Sequence, residues 1–225
     1  MNLRKPFTLL LASLLPIAFT ACKSTRYHER SSIDGTGESG EIHIAKMGGD
    51  IDVDSAPHGA SLSTMGGNIH VENVAESATL KTMGGVIDVD HSTGRVDATT
   101  MGGNITISTA NGPVKATTMG GDIKVRETGS SDGERDIELS SKGGTIELTV
   151  PRDFPMNVRI TLAYTKADHG YHIEQHAGLE EQETDEWDNS HGSLRKYIRA
   201  AGRVGNGLNK ISIDTINGDV ILRQE

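Results

Sequence analysis

The sequence predicts an all-β, single-domain parallel β-helix (β-solenoid) with coils of about 18 residues and two short strands per coil. Three observations predict it. A Met-Gly-Gly triplet returns every eighteen residues, at Met47, Met65, Met83, Met101 and Met119, with Lys142-Gly143-Gly144 as a sixth copy after a five-residue insertion. A fixed period of this length marks one structural unit stacked on itself. Counting each Met as position 1, β-branched residues fill positions 5 and 7: Ile51, Ile69, Ile87, Ile105 and Ile123, then Val53, Val71, Val89, Ile107 and Val125. Apolar-polar-apolar alternation is strand periodicity. A second alternating pair follows in each unit (Ala78 and Leu80, Val96 and Ala98, Val114 and Ala116), set off by Gly94 and Gly112 at a turn.

Before the repeats, residues 1–21 read as a signal peptide. Arg4 and Lys5 supply its positive charge, and the apolar stretch from Phe7 to Phe19 is too short to cross a bilayer as a helix. The stretch ends at Phe19-Thr20-Ala21-Cys22, and Cys22 is the one cysteine of the chain. It resembles the lipobox of bacterial lipoproteins, with Phe19 where Leu is usual. The resemblance implies that Cys22 becomes the lipidated N-terminus, anchored by several acyl chains. No Asp follows in the next position, which implies the outer membrane of the bacterial cell envelope. Residues 22–38 are then a polar tether.

The solenoid is expected to occupy residues 39–225, with regular repeats over 40–150. Stacking in register puts equivalent residues about 4.8 Å apart, so seven to nine coils give a rod roughly 35–45 Å long. Its interior is expected to be a set of ladders: Met on Met, Ile on Ile, Val on Val. The methionines are placed at the corner beside the glycines, where a flexible side chain packs well. Soft thioethers also suit copper, but core filling is the preferred reading.

After the regular coils, Met156 to Leu162 alternates as a strand. Residues 167–194 carry eight acids and no Lys or Arg, which predicts an exposed acidic loop, with one short helix near Leu179–Trp187. His169, His172 and His176 in this stretch match no zinc spacing and read as loop histidines. Residues 205–225 are expected to return to the stack as a closing coil, since Ile211 to Leu222 aligns with Val114 to Val125.

The repeated Gly-Gly-x-Ile-x-Val units and the final Thr215 to Leu222 segment resemble the adhesin-type β-strand-repeat family of bacterial envelope proteins, a domain of unknown function. The resemblance covers roughly residues 35–225 and implies the fold; it supplies no catalytic residues.

Composition narrows the function. Two of the 22 Lys and Arg fall in the leader, leaving 20 against 31 acids, a formal balance of −11. That disfavours nucleic acid as a partner. Outward positions 6 and 8 read Asp52 and Asp54, His70 and Glu72, Asp88 and Asp90, Thr106 and Ser108, Lys124 and Arg126. Asp52, Asp54, Glu72, Asp88 and Asp90 form a candidate partner face, or a Ca²⁺ or Mg²⁺ site, because stacked carboxylates repel. A solvated face is the plainer reading. From His28 to Val150 there is no Phe, Tyr or Trp, which argues against a sugar-processing groove, and no nucleophile elbow, P-loop or dinucleotide fingerprint appears. The expectation is a non-catalytic lipoprotein scaffold that adheres to an envelope protein, a surface polymer, or a second copy through an uncapped end. The alternatives are a β-helix enzyme acting on polysaccharide and a cation-dependent binding module.

Overall fold

The computed structural model describes residues 40–129, 135–167, 170–189 and 192–225, and there is no helix among them. The chain runs through β1 (Ile42–Lys46), β2 (Ile51–Ala56), β3 (Ala60–Thr64), β4 (Ile69–Val74), β5 (Ser77–Thr82) and β6 (Ile87–Ser92). It continues through β7 (Arg95–Thr99), β8 (Ile105–Ala110), β9 (Val114–Thr118), β10 (Ile123–Glu127), β11 (Ile137–Ser141) and β12 (Ile146–Val150). The last third holds β13 (Met156–Thr165), β14 (Ile173–Gln175), β15 (Glu180–Glu183), β16 (Arg195–Val204), β17 (Asn209–Ile216) and β18 (Val220–Gln224).

Odd and even strands of the regular region separate into two sheets. The first is ordered β1-β3-β5-β7-β9-β11-β17-β13-β16-β15, the second β14-β18-β12-β10-β8-β6-β4-β2. Each strand pairs in parallel and in register with its copy one coil away, as in Ile51↔Ile69 and Ile87↔Ile105. This is the solenoid that the period requires. The Ile column (Ile51, Ile69, Ile87, Ile105, Ile123) and the Val column beside it are almost fully buried, and Leu62, Leu80, Ala98 and Ala116 face them from the first sheet.

The methionines are not part of this core. Met47 is 82% exposed, and Met65, Met83, Met101 and Met119 lie between 46% and 48%. From the second coil on, the buried residue at the corner is the one before the Met: Thr64, Thr82, Thr100 and Thr118, with Ser141 and Thr215 in the later coils. Its hydroxyl joins two coils. Thr82 Oγ1 donates to Gly67 O at 2.9 Å and accepts from the Gly85 N–H at 3.2 Å. Thr100 and Thr118 repeat the arrangement. A buried hydroxyl with both capacities satisfied costs little, whereas a thioether there would leave two backbone groups unpaired.

Two further columns tie the coils. The second glycine of each triplet lies against the previous coil, where a Cβ on Gly85 would come within 1.9 Å of Gly67 O. One residue later, an Asx side chain accepts from the next coil's backbone: Asn68 N–H to Asp50 Oδ1 at 2.8 Å, Val86 N–H to Asn68 Oδ1 at 2.9 Å, Asp122 N–H to Asn104 Oδ1 at 2.8 Å.

The C-terminal segment does return to the stack, but not as its last level. Strand β17 lies between β11 and β13, and β18 between β12 and β14. Consecutive strands β12 and β13 therefore leave a level open, which the final residues of the chain fill. The acidic segment is not a free loop either, and it holds no helix at Leu179–Trp187. Ile173 and Leu179 are buried, and β15 pairs antiparallel with β16, which pairs antiparallel with β13. The first sheet thus ends on Glu180-Glu181-Gln182-Glu183, all exposed; like charges along an edge oppose pairing with another chain.

Candidate functional site

The outer face of the second sheet is built by strand alternation. Positions 5 and 7 point inward, so positions 6 and 8 point out. One outward column runs Asp52, His70, Asp88, Thr106, Lys124, Glu147 in direct register. The parallel column carries Asp54, Glu72, Asp90, Ser108 and Arg126. Charge therefore changes along the rod: mainly carboxylates at the N-terminal levels, hydroxyls in the middle, and beyond them the cations Lys124 and Arg126, paired with Glu147 and Glu225.

The structure separates the sequence-derived acids. His70 stands between Asp52 and Asp88, and its Nε2 lies 3.8 Å from Asp90 Oδ2. Among the described residues no three His, Cys, Asp or Glu side chains converge as a metal site. Asp52 and Glu72 are exposed, and Asp54, Asp88 and Asp90 are half-buried. Cys22 lies outside the described residues, as does His169; His172 Nδ1 sits 3.1 Å from Asp219 Oδ1.

At the basic end the face sinks into an open groove of about 340 Å³ lined by Thr106, Ser108, Lys124, Arg126, Glu147 and Arg223. Glu147 holds Lys124 Nζ at 3.1 Å and Arg223 at 2.6 Å, while Arg126 pairs with Glu225. Sequence reasoning missed Glu147, Arg223 and Glu225 as members of this site. Arg223 had a signal, since the alignment of the last coil puts it in the place of Arg126, but its level was not visible.

One charged group is turned the wrong way. Strand β10 is a residue short against β8, so Glu127 takes the inward place held by Ala110 one coil earlier. Its side chain is fully buried. Oε1 accepts from the Gly129 N–H at 2.8 Å and lies 3.7 Å from Arg135 Nε, while Oε2 has no hydrogen-bond partner among the described residues. Burial pushes this carboxyl up to about 7 from an ordinary 4.5, against the lowering effect of the Gly129 hydrogen bond and Arg135. The folded state therefore holds the proton more tightly than the unfolded one. Stability contributed by this group is present below pH 4.5 and is lost as pH rises to about 7. The loss is on the order of 3 kcal/mol, from about 1.4 kcal/mol per unit. Urea midpoints of the wild type should thus fall between pH 4.5 and 7 relative to those of Glu127→Gln, which should be the more stable protein at pH 8.

The family described as Toastrack DUF4097 matches residues 29–223. No curated protein and no solved structure matches the chain.

Proposed function

The chain belongs to the Toastrack family, and on that footing we propose that it is a non-catalytic cell-envelope lipoprotein whose solenoid is an interaction scaffold. In this reading Cys22 carries the lipid, the polar segment behind it is a tether, and the outer face of the second sheet receives an envelope protein or a surface polymer, as an adhesin would. One observation carries the reading: a rigid, in-register face whose charge reverses along its length, from Asp52 and Asp88 to Lys124 and Arg126. A partner with the opposite polarity is recognised in one orientation, and mismatched partners are repelled.

The test is capture of the intact lipoprotein from its own membrane after crosslinking. The wild type is compared with a charge-swapped chain carrying Asp52→Lys, Asp88→Lys, Lys124→Glu and Arg126→Glu. Asp52, Lys124 and Arg126 are exposed and Asp88 is half-buried on the same outer face, so the fold should survive the exchange. The partner should be lost from the swapped chain and should dissociate from the wild type as salt rises. Equal capture by both chains would remove this face from the proposal. Loss of labelled palmitate on Cys22→Ser tests the anchor separately.

A further inference from the structure

The corner Thr-Met-Gly-Gly contains two residues that the fold explains and two that it does not. The Thr hydroxyl bridges coils and the second Gly admits a close backbone approach. The Met side chain is half in water, and around the first Gly a Cβ would meet nothing within 4 Å at Gly48, Gly66 or Gly84. An apolar ridge could be made from Leu or Ile. Instead the chain puts sulfur at this place on five consecutive coils, and the ridge stops at Lys142.

We propose that this methionine ladder binds Cu(I), held between the thioethers of successive coils. Thioether sulfur is a soft, uncharged ligand that selects Cu(I) over the hard cations. The spacing fits. Parallel strands set equivalent atoms about 4.8 Å apart, and a cation bridging two sulfurs needs them separated by about twice a metal–sulfur bond of roughly 2.3 Å. Between the coils of Met83 and Met101 this spacing runs through the corner itself, where the Gly102 N–H donates to Met83 O at 3.1 Å. Three side-chain torsions let each sulfur swing toward its neighbour. The bare first glycines leave the approach open. The ion enters and leaves as Cu(I), so no electron is transferred and no proton need be released. The site is independent of the charged face of the second sheet.

The experiment uses the full chain in a Cys22→Ser background, which removes the only thiol. Under anaerobic conditions, Cu(I) complexed to bicinchoninate is titrated with the protein, and X-ray absorption reads the first shell. The comparison chain replaces Met65, Met83, Met101 and Met119 with Leu, which keeps apolar volume at exposed positions; its thermal transition verifies folding. We expect the parent to withdraw at least one equivalent of Cu(I) into an all-sulfur shell and the Leu chain to compete at least tenfold less well. Failure to withdraw copper, a shell of nitrogen or oxygen, or equal competition by the Leu chain would each overturn the proposal.

Discussion

A chain ending at Val204 should show no cooperative unfolding transition. The missing residues form a level inside the stack, between β11/β12 and β13/β14, so the truncation removes an interior slab. Ile211, Ile213, Val220 and Leu222 are buried to within 1% of completely. Burial of one such side chain contributes about 1.5–3 kcal/mol, and four together approach the whole stability of a domain, about 5–15 kcal/mol. The loss does not stop there. Strand β13 loses its parallel neighbour β17, and the buried Asn209 no longer accepts from Arg135 N–H or donates to Pro155 O. The milder Leu222→Ala should cost about 2–5 kcal/mol, measured by urea denaturation. A truncated chain that melts as sharply as the wild type would show that β13 can close directly on β11.

The second large effect distinguishes two adjacent glycines. Gly85→Ala should destabilise by about 3 kcal/mol or more, because the new methyl would sit 1.9 Å from Gly67 O and 2.5 Å from its carbon. Both are backbone atoms, so relief requires separating two coils whose hydrogen bonds fix their distance. Gly84→Ala, one residue earlier, meets nothing within 4 Å. It should be neutral or stabilise by up to about 1 kcal/mol through the unfolded chain. Paired thermal melts test both at once, and equal melting temperatures would refute the close-approach explanation.

The coil was legible in the sequence because parallel, in-register stacking sets the same environment at the same place in every unit. Periodicity alone, however, says only that environments repeat, not that they are interior. That is why the methionines were misplaced. The signal that would have corrected them was strand parity: Val96 and Ala98 point inward, the alternation continues to Thr100, and Met101 must then point out. The Asx column stands in the sequence as Asp50, Asn68, Asn104 and Asp122, but the period alone does not say which backbone groups such side chains accept from. The acidic stretch misled through charge, since an edge strand such as β15 can be polar on both faces and still pair through its backbone. The level of the last coil had no local signature at all. Residues 211–222 align with residues 114–125, but their place in the stack is decided by the gap between β12 and β13. Of the candidate site, the sign change along the outer face was readable from Asp52 to Arg126. Glu147 and Arg223 could not be joined across that gap.

The inserted coil also sets a clock. Ribosomes release the amino end first, so every level up to β16 exists before the strands that belong between β12 and β13 have been made. The nascent chain can stack its early coils but cannot complete its far half until the carboxyl end is free. If the chain is exported through a narrow channel, as the proposed function requires, that delay keeps the far half open for transit. Final closure waits in either case for the carboxyl end of the chain.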